Sequence, residues 1–173
     1  MNETSAIIKF YQGEGTDSEG RTLVEVLSFD NGELETNHNY VQWLFPLNHQ
    51  SAFNPTAPIL THNDIKLFIN DSQLREKYLV SLNKMLSFYG ITLADDCQEV
   101  KMHLSATFSQ QKINWVTLGN HNFLRLTRIL TSLNILGFPD HAKAMFEILE
   151  TIYLENTTAI GTVTWNFWKQ AAA

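Results

Sequence analysis

Cysteine is nearly missing: Cys97 is the only one in 173 residues. A lone cysteine excludes an internal disulfide framework and fits a reducing compartment, so a cytoplasmic location is expected. Long apolar runs are missing too. None approaches the ~18 residues that a membrane-spanning helix needs, so no membrane span is expected. Met1 to Ser5 has neither the basic start nor the apolar run of a signal peptide. The glycosylation-type triplets Asn2-Glu3-Thr4 and Asn156-Thr157-Thr158 are therefore expected to carry no sugar. Positive charge is scarce, with 12 Lys and Arg against 18 Asp and Glu and a formal net charge of −6. Nucleic-acid binding needs a cationic surplus, and an anionic membrane surface would repel this chain, so neither partner is expected. At 17%, charged residues are also too few for a disordered chain or a coiled coil.

Motifs of common chemistries are absent as well. Gly13, Gly15 and Gly20 have the wrong spacing for either phosphate fingerprint, and Glu14, Asp17 and Glu19 would repel a phosphate. Cys97 follows Asp95 and Asp96, whose negative charge disfavours a thiolate nucleophile. No Gly-x-Ser-x-Gly elbow, His-Glu-x-x-His or Cys-x-x-Cys occurs. Glu35-Thr36-Asn37-His38 reads as a Glu-x-x-His step on a helix, but a di-iron site needs a second pair and two further glutamates. Glu99 and His103 stand four apart, not three. The expectation is no metal, no cofactor and no catalytic residue set.

What the chain does contain is core material: 44% apolar residues, with eleven Phe and four Trp. No repeat or Pro/Ser/Gly-rich linker divides it, so residues 1–173 read as a single domain. Glycines and prolines punctuate helical runs. The expected helices are Ser5 to Tyr11 closed by Gly13, Arg21 to Phe29, and Leu34 to Phe45 stopped by Pro46. After a proline-rich loop over residues 46–61, Thr61 with Asp64 opens another helix as a capping box. Asp71 caps Ser72 to Tyr89, whose inner face carries Leu74, Tyr78, Leu82, Met85 and Tyr89. That helix ends on Gly90, with Ile91 folding back on Leu86. Residues 92–118 show no sustained period. Asn120 caps His121 to Leu136, and Gly137 turns the chain so that Phe138 meets Leu133. Asp140 caps a helix to about Leu154, and Thr158 to Gln170 forms the last, with Ile160, Val163 and Phe167 on one face. The fold class is all-α: a compact single-domain bundle of about seven or eight helices, with little or no strand.

Two constellations stand out. On the apolar helix from His121, the residues His121, Arg125, Arg128 and Ser132 form one polar stripe. It serves either as an anion or carboxylate site near the helix N-terminus or as an internal salt bridge to Glu35, Glu25 or Asp17. Of the two arginines, Arg128 is expected to be structural, because it lies a turn deeper, and Arg125 to face a cavity with His121. The second constellation is Tyr40-Val41-Gln42-Trp43-Leu44-Phe45-Pro46, aromatic enough to be core, with Gln42 and the Trp43 indole needing partners if buried.

The second block carries a resemblance. His38-Asn39-Tyr40-Val41-Gln42-Trp43-Leu44-Phe45-Pro46, continuing through Ser51, Asn54-Pro55 and Ala57-Pro58, resembles the H-x-Y-I-Q-W-L-F-P block of the opioid growth factor receptor conserved domain. Met85 to Ile91 resembles its M-L-x-F-Y-G-I element, and Asn114-Trp115 with His121 to Leu130 its N-W and H-N-x-L-R-I-T-R-I-L elements. Phe146 to Thr151 is similar to a later stretch, so the likeness covers about residues 8–170. It implies an all-helical fold and, by family name, an opioid-peptide receptor activity. Animal members are described as nuclear and nuclear-membrane receptors for methionine-enkephalin. This sequence departs from them in carrying no long tail with repeats or basic targeting segments.

The leading expectation is therefore a receptor-like module holding a short peptide or other small ligand through His38, Gln42, Trp43, His121, Arg125 and Arg128. An enzyme acting on an anionic small molecule, with His38 and His121 as acid–base groups, is the alternative. A protein-interaction scaffold is a third reading.

Overall fold

The computed structural model describes residues 4–95 and 98–173, so the readings of Cys97 and of the Asn2 triplet lie outside the described residues. The molecule is predominantly helical, with ten helices and one two-stranded sheet among the described residues. The chain forms two compact units, Met1–Leu82 and Asn83–Ala173.

In the first unit, Ser5 caps α1 (Ala6–Gln12) by accepting from the Ile8 N–H, and Gly13 closes it. Helices α2 (Leu23–Leu27) and α3 (Asn31–Thr36) each start with a full capping box, Thr22 with Glu25 and Asp30 with Glu33. The single helix expected over Leu34 to Phe45 is two: α3 ends at Thr36 and α4 (Tyr40–Leu44) begins after Asn37-His38-Asn39. Asn37 takes an extended backbone, and its side chain donates to the Glu33 carbonyl that it would otherwise extend past. Thr61 and Asp64 make the expected box at the start of α5 (His62–Asn70). Asp64 does more than replace a glutamate. It is 2% exposed and also accepts from the Ser5 hydroxyl at 2.7 Å, which ties the caps of α1 and α5 together. Asp71 accepts from the Gln73 and Leu74 N–H groups at the head of α6 (Ser72–Tyr89). The core is aromatic: Tyr11 packs edge-on against Phe68 (5.1 Å), Phe45 against Tyr78 and Phe10 against Trp43. Buried phenols are satisfied by main chain, Tyr11 by the Leu44 carbonyl (2.6 Å) and Tyr40 by the Leu34 carbonyl (2.7 Å).

In the second unit the expectation of little or no strand is corrected in part. β1 (Ile91–Asp95) and β2 (Val100–Leu104) pair antiparallel, with Ile91 opposite Leu104. Ile91 thus opens a strand directly after Gly90. The hairpin is followed by α7 (Phe108–Trp115), α8 (Asn122–Ile135), α9 (Pro139–Glu155) and α10 (Thr157–Ala172). α8, α9 and α10 pack on one another, and β2 lies on α9. Gly137 has φ 76°, and the Phe138 N–H reaches the Leu133 carbonyl at 2.8 Å, the turn that was expected. Pro139, not Asp140, opens α9, at the first helical position where its missing N–H costs nothing.

The single face expected for Ile160, Val163 and Phe167 on α10 is also corrected. Val163 and Phe167 are exposed, while Ile160 and Trp168 are buried. Gly161 sits at φ 79°, ψ 159°, which interrupts the helix and resets its phase. The reset brings Trp165 parallel to both Phe146 (5.0 Å) and Tyr153 (4.6 Å) of α9. Those two residues are seven apart, about 10.5 Å along a helix, so the indole fits between their rings. Trp168 donates its indole N–H to the Phe123 carbonyl at 3.2 Å, which fastens α10 to α8.

Candidate functional site

His38 is exposed in the three-residue connection between α3 and α4. Glu35 lies on α3 and His38 beyond its end, so the pair does not form a helical Glu-x-x-His step. Both neighbours of His38 are tied back to the loop before α2. The Asn37 side-chain oxygen accepts from Arg21 Nη1 at 3.4 Å, and Asn39 donates to Glu19 at 3.3 Å. That loop is organised by Asp17, whose carboxylate accepts from the Glu19 and Arg21 N–H groups (both 2.9 Å) and from Arg21 Nε (2.7 Å). The Arg21 guanidinium also lies over the Phe29 ring, 5.5 Å from its centre. Sequence reasoning did not single out Arg21. Its one signal was an opposite charge four residues after Asp17 in an otherwise polar run.

The Tyr40–Pro46 block is core, as its aromatic content suggested. Tyr40, Leu44 and Phe45 are fully buried and Trp43 is 7% exposed. Gln42 is half-buried and accepts from the Asn54 side chain at 3.1 Å, which explains why Asn54 accompanies the block. Asn54 in turn holds Thr56 by both its N–H and its hydroxyl, so a single amide pins the proline-rich loop to α4.

In the second unit, His121 is exposed at the head of α8, Arg128 is half-buried and Arg125 is buried at 7% exposure. This order runs opposite to the expectation that Arg128 is the inner arginine. Arg125 Nη1 donates to the Asn122 side-chain oxygen (3.3 Å), which also accepts from the Tyr89 hydroxyl (3.2 Å). Asn122 is completely buried, and its amide N–H reaches Asn120 at 2.9 Å. Asn120 also accepts from the Asn122 backbone N–H at 2.9 Å, but the N-cap of α8 is His121, one residue later than expected. Arg125 is therefore one end of a buried polar chain, Tyr89–Asn122–Arg125.

A cleft of about 310 Å³ lies in the same unit between Glu99 near β2 and Asp140, Lys143 and Glu147 of α9. None of the six expected ligand residues lines it. Among the described residues, no three His, Cys, Asp or Glu side chains converge as a metal site would require. Nor is any helix among them long and apolar enough to cross a membrane.

With this geometry in place, likeness to known proteins decides the family. The model of the Opioid growth factor receptor (OGFr) conserved region matches residues 2–171. The chain belongs to the opioid growth factor receptor family. Opioid growth factor receptor-like protein 1 of Rattus norvegicus is 36% identical over 143 residues, which cover 80% of this chain and 30% of the rat protein. The Opioid growth factor receptor of Homo sapiens is 38% identical over 125 residues, covering 72% of this chain and 17% of the human protein. The chain thus spans less than a third of the length of these relatives. No solved structure matches it. The blocks that carried the resemblance acquire physical reasons here: Asn122 and Arg125 form a buried pair, and Tyr40 to Pro46 is core plus one loop-pinning amide.

Proposed function

We propose that this member of the opioid growth factor receptor family is a receptor-like module for a short peptide or other small ligand. The reading takes residues 1–173 as one functional domain. Its candidate ligand groups are His38, Gln42 and Trp43 in the first unit and His121, Arg125 and Arg128 in the second. Family membership supports the receptor class, since the relatives are named for an opioid growth factor. The observation that carries the reading is the α8 stripe. In a chain of net charge −6, cationic side chains line one helix face, with His121 exposed and Arg128 half-exposed at its solvent side. Such groups suit a carboxylate, the feature every free peptide C-terminus supplies.

The test is calorimetric titration with methionine-enkephalin and with its C-terminal amide. The acid form is expected to bind, the amide to bind about tenfold more weakly, a loss of about 1.4 kcal/mol. Arg128→Met is expected to remove that preference. Absence of binding by both peptides, or equal binding by both, would refute the reading.

A further inference from the structure

One donor in the first unit has nothing to bond to. Arg21 Nη2 is buried and finds no acceptor among the described residues, although its side chain as a whole is 18% exposed. The rest of the guanidinium is engaged on one side only. Asp17 takes Nε at 2.7 Å, and the Asn37 amide oxygen stands 3.4 Å from Nη1, at the far end of hydrogen-bond range. A buried donor pair without an acceptor is costly, so an arriving oxygen recovers that loss as binding energy.

The charge balance says which oxygen. Asp17 already neutralises the guanidinium, with its carboxylate side chain fully buried. A second carboxylate beside it would meet like charge at close range in a poorly solvated place. A neutral carbonyl oxygen meets no such penalty. The fold itself places an amide there, because the weakly held acceptor on Nη1 is the Asn37 side-chain amide. That amide belongs to the connection carrying exposed His38, where the Asn37 nitrogen also donates to the Glu33 carbonyl at 2.9 Å and Asn39 donates to Glu19 at 3.3 Å. Displacing the Asn37 amide would open the end of the fork, Nη1 and Nη2 together.

We propose that Arg21 is a docking point for a main-chain carbonyl of a bound peptide, which takes the place beside which the Asn37 amide now sits. This rests on the peptide-binding reading above and adds to it a contact made to the peptide backbone rather than to its charged end. The experiment uses a probe independent of any particular peptide. N-acetylglycine N-methylamide and, separately, acetate are titrated into the nitrogen-15-labelled protein. The readouts are the Arg21 Nε–Hε signal and the backbone amides of Glu19 and Asn37.

The expected result is a saturable shift of these signals with the amide and none with acetate. Arg21→Lys, which keeps a cation for Asp17 but lacks the fork, is expected to abolish the Glu19 and Asn37 response. Asn37→Ala removes the competing amide and is expected to lower the half-saturating concentration by about twofold. A purely structural role for the pair would not move the two variants in opposite directions. A shift with acetate equal to that with the amide would overturn the proposal in favour of a carboxylate point. Silence with both probes would overturn it too and leave Nη2 to a bound water. If the amide shifts Arg21 while methionine-enkephalin fails to bind, the docking point stands and the receptor reading alone falls.

Discussion

Replacing Gly90 by alanine should damage the second unit more than any glycine substitution made in open space. Gly90 joins α6 to β1 at φ 78°, a conformation that costs a side-chain-bearing residue about 1–2 kcal/mol. Its carbonyl accepts from the Ser105 N–H at 2.8 Å, which locks the junction onto the far end of the hairpin. A Cβ at this position would lie 2.8 Å from the Phe108 Cα, 3.2 Å from the Gln111 Cβ and 3.3 Å from a Phe108 ring carbon. The first of those atoms is backbone and cannot rotate away, so α7 must shift. Overpacking of that kind costs about 1–3 kcal/mol. The two contributions give about 2–5 kcal/mol for Gly90→Ala. Gly119 is the control in the same unit, with φ 68° and nothing within 4 Å of an added Cβ. Gly119→Ala therefore carries only the backbone cost, about 1–2 kcal/mol. Urea unfolding of both variants, followed by far-ultraviolet circular dichroism, measures the difference, which should be about 1–3 kcal/mol at unchanged slope. Equal losses would show that α7 does not press on Gly90, and the packing argument for the hairpin–α7 corner would fail.

Two further predictions concern buried polar groups. Arg125→Met is expected to cost about 1.5–3 kcal/mol, the loss of a buried charged hydrogen bond to Asn122, whereas Arg128→Met should stay within about 1 kcal/mol. Denaturant melts of the two side by side decide it, and a larger loss at Arg128 would refute the order. Burial pushes the Tyr11 phenol well above its ordinary value, against a smaller downward pull from Ser81. A raised folded-state value means the folded protein holds that proton more tightly. Its contribution is complete below the ordinary tyrosine value near pH ~10 and is lost as pH climbs from there. Tyr11→Phe should therefore cost about 1–2 kcal/mol at neutral pH, where the bond to the Leu44 carbonyl is removed, and the gap to the parent should narrow above pH ~10. A gap that stays constant in alkaline melts would contradict this.

The parts of the fold that the sequence displayed openly are those fixed by local chemistry. Thr61 with Asp64, Asp71, and Gly137 with Phe138 bond within a few residues of themselves, so each could be read without knowing the tertiary structure. The helix break at Asn37–Asn39 was hidden by its flanks. Leu34, Val41, Leu44 and Phe45 fit one helical repeat across the gap, while three poor helix formers in a row marked the actual end. The hairpin had a signal too. Val100-Lys101-Met102-His103-Leu104 alternates apolar and polar residues, and Met102 is the buried one, but five residues are too few to outweigh the surrounding helical pattern. Gly161 was visible, yet reading its helix as continuous projected the apolar face from Ile160 onto Val163 and Phe167, which a phase reset turned outward.

The arginine order on α8 was legible in the sequence, by azimuth rather than by depth. At 3.6 residues per turn, Asn122, Leu126, Ile129, Leu130 and Leu133 cluster about one direction, and all five are buried. Measured from that direction, Arg125 lies about 90° away, Ser132 about 110°, His121 about 130° and Arg128 about 150°. The observed burial separates the nearer pair, Arg125 and Ser132, both buried, from the farther pair, exposed His121 and half-exposed Arg128. Distance from the helix N-terminus has no bearing on which way a side chain points, so the turn in which Arg128 sits could not make it the inner residue. The consequence reaches function. Arg125 spends its reach on Asn122 beneath the helix, where the Tyr89 hydroxyl shares the same oxygen. A ligand approaching α8 from solvent would first meet the pair farthest from the buried direction, His121 and Arg128.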